Sequence, residues 1–335
     1  MKTNKLITIG ILLTVMILVL TACKDSKSNT QNKHSDHTNP KKIGIIQLVE
    51  HDALDAAYEG FVQGLEQAGY KDSKNIELIF KNAQGEQANC STIASQLVTA
   101  KCDLILAIAT PAAQAAANET KEIPILVTAV TDPANAKLVQ TNEVPGNNVT
   151  GTSDLTPVKE QISLITELVP KAKTVAMLYC SSETNSKFQV ALAKKEATKL
   201  GLKTIDATVS ESSEIRQVVE ALKGKADVIY APTDNLIAAG MSTVGMVANE
   251  LGIPVITGEE GMCQSGGLAS YAINYHELGI QTAAQAVKIL EGTSTPASMP
   301  IEYLQKVDLI INEGTAATLG ITIPEDLKSK AKIVK

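Results

Sequence analysis

The residues able to do chemistry cluster where apolar runs end. Glu50 and His51 follow IGIIQLV; Thr110 follows CDLILAIA; Thr128 and Thr131 lie in TAVTDP. Ser181, Ser182, Glu183 and Asn185 lie in YCSSETNS, Asp234 in APTDN, and Glu259 and Glu260 in TGEEGM. Catalysis needs a geometry that these stretches do not offer. Glu259 and Glu260 are adjacent, whereas glycoside hydrolysis needs carboxylates opposed across a bond. Ser181 and Ser182 sit in no G-x-S-x-G elbow. Neither a Walker A motif nor a G-x-G-x-x-G after the first strand is present, so no phosphate cradle is expected. His34 and His37 are three apart with no converging third ligand, so no metal is expected either. The chain reads as a binding protein without a cofactor, not as an enzyme.

Two stretches say how these residues are positioned. CDLILAIATPAAQAA (Cys102–Ala116) and ADVIYAPTDNLIAAG (Ala226–Gly240) share one order: an apolar run, Thr, then an Ala-containing helix. KEIPILVTAVTDP (Lys121–Pro133) and LGIPVITGEEGM (Leu251–Met262) match in the same way. Short apolar runs alternate with helical segments throughout, including a helix expected over Asn235–Leu251. That alternation predicts parallel sheets covered on both faces. The fold class is therefore α/β, with two doubly wound parallel-sheet domains. Ligands of such sheets bind outside the carboxyl ends of the strands, where the polar residues above fall.

The ends of the chain bound its setting. Lys2 and Lys5 precede an apolar stretch, Leu6–Leu20, followed by LTAC (Leu20–Cys23). The stretch is shorter than the ~20 residues of a spanning helix and reads as a signal peptide over residues 1–22. A small residue before Cys23 resembles a bacterial lipobox, which implies acylation of Cys23 (palmitate or a similar chain) and stable membrane anchoring through more than one chain. Residues 23–40 carry no large apolar side chain and read as a flexible tether. The formal net charge is −6, which does not suggest a nucleic-acid partner. Cys90, Cys102, Cys180 and Cys263 fit no zinc spacing; free thiols are expected, with Cys180 and Cys263 the pair worth checking.

Seven motifs in order resemble the type I periplasmic-binding-protein fold, and within it the tryptophan/tyrosine-type lipoprotein subunits of ABC importers. They are IGIIQLVEHDALDAAYEGF (Ile43–Phe61), TPAAQAA (Thr110–Ala116), TAVTDP (Thr128–Pro133), VTGTSD (Val149–Asp154), YCSSETNS (Tyr179–Ser186), APTDN (Ala231–Asn235) and GEEGMCQSGGLASYAINYHELG (Gly258–Gly279). The resemblance implies three chain crossings, near Asn148–Asp154, Ala269–Tyr275 and Gln305–Asn312, with Gly151 and Gly266-Gly267 supplying backbone freedom. Domain 1 is then 41–150 plus 275–305, and domain 2 is 151–274 plus 306–335. The implied role is an extracytoplasmic, lipid-anchored, monomeric solute-binding protein that closes on an amino acid (tryptophan, tyrosine or phenylalanine) and delivers it to an ABC permease and ATPase. The alternative is a sensor or surface adhesin not coupled to import. Two positions depart from the family's pattern at the cleft: Asp52, where Pro often follows the His, and Cys180, where Asn is frequent.

For a zwitterion, the resemblance implies a carboxylate held by N–H and hydroxyl donors around Thr110, Ala112 and Ala113, with Thr128 and Thr131 beside them. The ammonium wants a carboxylate. Asp234 either reaches across to it or caps the helix that follows. Gln47, Glu50, His51, Asp154, Ser182, Glu183, Asn185, Thr233 and Glu259 border the same strand ends, and Tyr275 lies at a crossing, able to cover a ligand ring.

Overall fold

The computed structural model describes residues 40–335. The expected signal peptide, Cys23 and most of the tether, with His34 and His37, lie outside the described residues. The first half contains β1 (Lys41–Gln47), α1 (Asp52–Gln67), β2 (Ile76–Asn82), α2 (Gln87–Thr99), β3 (Leu104–Ile108), α3 (Thr110–Glu119), β4 (Ile125–Val130) and β5 (Val149–Ser153). The second contains α4 (Val158–Leu168), β6 (Thr174–Cys180), α5 (Thr184–Lys199), β7 (Lys203–Val209), α6 (Ile215–Glu220), β8 (Val228–Ala231), α7 (Asn235–Ala239), α8 (Met241–Glu250), β9 (Val255–Thr257), α9 (Glu260–Gln264) and β10 (Ala269–Ala272). Then follow α10 (Tyr275–Leu290), β11 (Glu302–Tyr303), β12 (Asp308–Asn312), α11 (Glu313–Leu319), α12 (Glu325–Lys328) and β13 (Lys332–Val334).

The sheets run β2-β1-β3-β4-β5-β11 and β7-β6-β8-β9-β10-β12-β13. Their first five strands repeat one parallel doubly wound order, so the recurring sentences of the sequence occupy equivalent places. Every residue of β3 and β8 is buried, as strands covered on both faces require. Along β6 the period of two is visible: Val175 and Met177 pack into one core, Ala176 and Leu178 into the other. All four cysteines among the described residues are free and buried.

The chain passes between sheets after β5, after β10 and after β11. The expected boundary between residues 150 and 151 falls inside β5, which pairs with β4. Gly151 therefore lies inside a paired strand, just before the crossing. Its φ is +142°, and a Cβ there would lie 2.0 Å from the Val127 carbonyl oxygen, so glycine allows two strands to meet at a distortion. The helix expected over Asn235–Leu251 is broken at Gly240 into α7 and α8.

After the second crossing α10 docks on α1 almost backbone to backbone. A Cβ on Gly60 would sit 1.9 Å from the His276 carbonyl oxygen, and one on Gly279 2.1 Å from that of Ala57. This contact returns the chain to the first half and sets Tyr275 close to the start of α1, where His51 lies.

Candidate ligand-binding site

The carboxyl ends of the two sheets face each other across a narrow enclosed space. From the first half come His51, Ala53 and Leu54 at the start of α1, and Ala129 and Thr131 at the end of β4. The crossings contribute Asp154 and Tyr275; the second half contributes Asn185, Thr233, Asp234, Asn235, Ala238 and Glu259. The cavity is ≈ 10 Å³, about the space of one water. Hydroxyls meet across it. Thr131 Oγ1 and Thr233 Oγ1 are 3.5 Å apart, and Gln189 Nε2 donates to both, at 3.2 and 2.6 Å. His51 Nε2 lies 3.5 Å from Asn235 Oδ1, again across the two halves. Ala129 has φ +53°, a left-handed value rare for a residue with a side chain and common at ligand sites; it kinks β4 just before Thr131.

Asp154, Glu183, Asp234 and Glu259 are the buried carboxylates among the described residues, and they divide by what their oxygens do. Asp234 Oδ1 accepts from the Ile237 N–H and Oδ2 from the Cys180 N–H, at 2.8 and 2.6 Å. It caps α7 and ties that helix to β6. Glu259 caps α9, accepting from Gly261 and Met262 N–H at 2.6 Å each. Glu183 also serves the start of α7: Oε1 accepts from Leu236 N–H, and Oε2 from the Asn235 N–H and the side-chain amides of Asn185 and Asn235. Asp154 differs. Oδ2 accepts from the Tyr275 hydroxyl at 2.7 Å, while Oδ1 has no partner.

Burial raises all four carboxyl pKa values, because the charged form loses water. Asp154 is pushed up to about 6 by burial, opposed by the Tyr275 hydroxyl, and Glu259 to about 7 against its two backbone N–H donors. Asp234 and Glu183 are raised by burial, and the charge of Asp234 adds to the shift of Glu183. Burial lowers His51 to about 4, against the Asn235 contact and the charge of Asp52, so its imidazole is neutral at physiological pH.

The remaining expected residues sit elsewhere. Glu50 and Ser182 are exposed; Ser182 Oγ lies 3.1 Å from Cys180 Sγ. Gln47 is buried against α1, donating to Asp55 Oδ1 at 2.6 Å. Thr110, Ala112 and Ala113 are packed in the first half's interior, and Thr128 accepts from the Thr152 hydroxyl inside the sheet. None of these lines the cavity; Glu183 stands behind the two asparagines. Gln189, Asn235, Leu54 and Ala238 are additions the sequence reading missed. Gln189 had a signal: it lies four residues after Asn185 and so on the same helical face. Of the two departures from the family's pattern, Asp52 packs against the other half, its Cβ 2.9 Å from where a Cβ on Gly261 would stand.

A family model described as ABC transporter substrate binding protein matches residues 42–335. The chain belongs to that family. As a member it is a substrate-binding protein and not an enzyme. It is 44% identical over 323 residues to a tyrosine-binding protein of Clostridioides difficile, covering 96% of this chain and 93% of the relative. A structure from Streptococcus pneumonia in complex with L-Trp is 40% identical, with a TM-score of 0.86 over 89% of this chain and 100% of that one. The ligand-free, open structure of a substrate-binding protein with adhesive properties from Clostridium difficile is 47% identical, yet its TM-score is 0.68 over 88% and 99% of the two chains. The better sequence match superposes worse, so the two halves here are arranged more as in the L-Trp complex than as in the open form. More distant structures share the type I periplasmic-binding fold alone, among them a glucose-galactose binding protein of Geobacillus stearothermophilus at 13% identity and TM-score 0.59, covering 82% of this chain and 98% of that one.

Proposed function

We propose that this substrate-binding protein captures an aromatic amino acid by closing its two halves on it and presents it to an ABC permease and its ATPase. One observation carries the amino-acid reading: Asp154 Oδ1 is buried at the cavity without a partner, while the other buried carboxylates are occupied in holding helices. An ammonium would complete it. The hydroxyls of Thr131 and Thr233 and the Gln189 amide, which now bond one another, are the donors a ligand carboxylate would take over. The ≈ 10 Å³ cavity admits no amino acid, so the halves must part to admit one. Bonds from the ligand to both halves then favour closure by their differential affinity. The names of the tyrosine-binding relative and the L-Trp complex support an aromatic side chain.

Cys23 is proposed as the lipid anchor that holds the protein at the extracytoplasmic face of the cell membrane; among the described residues no helix is long and apolar enough to cross one. Thermal-shift screening against amino acids, sugars and nucleosides tests the ligand class. A ligand at 100 times its dissociation constant adds about 2.7 kcal/mol, and stabilisation by sugars alone refutes the reading. A Cys23→Ser variant that fractionates and migrates like the parent removes the anchor. The relative with adhesive properties keeps surface adhesion as the second reading. Loss of tyrosine or tryptophan uptake on deletion favours import; intact uptake with reduced surface attachment favours adhesion.

A further inference from the structure

Asp52 departs from the family's pattern, and ligand capture as proposed above gives it no part. It opens α1 in the first half, and its side chain lies against Gly261 at the start of α9 in the second. A Cβ on Gly261 would stand 2.9 Å from Asp52 Cβ and 3.1 Å from its Oδ2, inside the ~3.5 Å at which carbon atoms come to rest. The halves therefore touch here with no room for a further atom. Beside the contact opens a recess of ≈ 230 Å³, lined by Asp52 from the first half, by Glu259, Glu260 and Lys332 from the second, and by His276 at the start of α10.

Three carboxylates converge on this recess, and its donors are already engaged. The N–H groups of Gly261 and Met262 serve Glu259. Lys332 Nζ and Gln264 Nε2 both serve Glu260 Oε1. Asp52 is exposed and takes part in none of the ion pairs among the described residues. Burial is the main upward push on the Glu259 carboxyl, and the charges of Asp52 and Glu260 add to it, so the three groups feel one another. Because Asp52 and the glutamates belong to different halves, they meet only when the halves do.

We propose that Asp52 is a brake on closure: a positioning residue whose carboxylate, brought against Glu259 and Glu260 as the halves meet at Gly261, lowers the population of the closed form and with it the affinity for ligand. The inference rests on the closure proposed above and not on which ligand drives it. The repulsion opposes the ligand's own preference for the closed form, and affinity follows the difference. Asp52 keeps its water on one side, so the brake is a weak one, of the size of other exposed charge pairs.

Calorimetric titration of L-tryptophan and L-tyrosine into the purified protein and its variants tests this. Asn keeps the shape of Asp and removes the charge, so Asp52→Asn should bind about two- to fivefold tighter than the parent. In 1 M salt, where the screening length is about 3 Å, parent and variant should converge. Loss of an acidic residue from the first turn of α1 should also lower the melting temperature slightly; a merely structural role predicts that loss without the gain in affinity. Gly261→Ala should weaken binding at least about fivefold by holding the halves apart. In an Asp52→Gly background, where the facing Cβ is gone, the same change should lose most of its effect. Unchanged or weaker binding by Asp52→Asn, or an equal cost of Gly261→Ala in both backgrounds, overturns the inference and leaves the amino-acid reading standing. Failure of both amino acids to bind overturns that reading instead. X-ray scattering of the protein alone then decides: Asp52→Asn should be more compact than the parent, and identical curves overturn the brake.

Discussion

The two halves share a topology and divide the chemistry unequally. In the first, the strand β3 runs through Ala109, at φ +82°, straight into α3, whose start has no side-chain cap and is packed with Thr110, Pro111 and alanines. In the second, β8 runs into α7, whose start is held by two carboxylates, Asp234 and Glu183, with Asn185 and Asn235 arrayed around them. The matching stretch of sequence is interior packing in one copy and site in the other. The second half thus brings a preformed polar network, and the first brings His51, Thr131 and an apolar wall that fold over it. A duplicated scaffold preserves strand order because cores demand it, whereas strand-end residues are free to diverge.

Two aspartates give the largest test of this division. Asp154→Asn removes the charge offered to a ligand ammonium and is expected to weaken amino-acid binding by about 2–5 kcal/mol, roughly 30- to several-thousand-fold, by calorimetry. The same variant should melt higher without ligand at pH 7. A carboxyl whose folded pKa stands near 6, above its ordinary 3.8, opposes folding increasingly as pH rises through that interval and not below it, by up to about 3 kcal/mol. Parent and variant should therefore converge near pH 4.

Asp234→Asn comes next, with the opposite profile. The sequence alone suggests that Asn would serve as an equally good cap, but both oxygens accept N–H groups, and Asn supplies one acceptor. A melting-curve loss of about 1–3 kcal/mol is expected, from the unmet Cys180 or Ile237 N–H, with a smaller affinity loss than Asp154→Asn. An affinity loss exceeding that of Asp154→Asn would make Asp234 the ammonium's partner.

Acidification should weaken binding further down the scale. Below about pH 6 a proton competes with the ammonium for Asp154, and an exposed His51 must shed its proton on closure. Each of the two protons is expected to cost about tenfold in affinity per pH unit there, and Asp154→Asn should remove the Asp154 share of that slope. The smallest effect is predicted for Thr110→Ala. Its hydroxyl makes no cap and lines no cavity, so affinity should change by less than about twofold; a large loss would restore the first half's helix start as a carboxylate site.

Much of this was legible in the chain itself. Apolar runs such as LILAI and VIYA could be read as covered strands because burial on both faces leaves no polar alternation, and their recurrence gave the two halves. The strand ends were legible as the site because parallel sheets bind there. The roles of Asp154 and Asp234 were not. Capping and ligand binding use the same residue type at the same place, and only the partners of each oxygen separate them. Gln189 was hidden because it sits a turn inside α5, away from any strand end. Gly151 looked like a joint because a glycine near a crossing is equally consistent with flexibility and with a close strand approach.

Asp154 and Tyr275 lie on two of the chain's crossings, joined by a hydrogen bond, and α10 is locked to α1 by the Gly60 and Gly279 contacts. Crossings are where a hinged molecule moves least. On the proposed closure, the carboxylate offered to the ammonium stands at the fulcrum and is presented to solution while the cleft is still wide, whereas His51 and Asn235, in contact across the two halves, meet only when it shuts. Capture of the proposed amino acid would then separate in time, the fulcrum governing how fast it is taken on and the far contacts how long it stays. Stopped-flow measurement should accordingly show Asp154→Asn slowing association and His51→Leu hastening release.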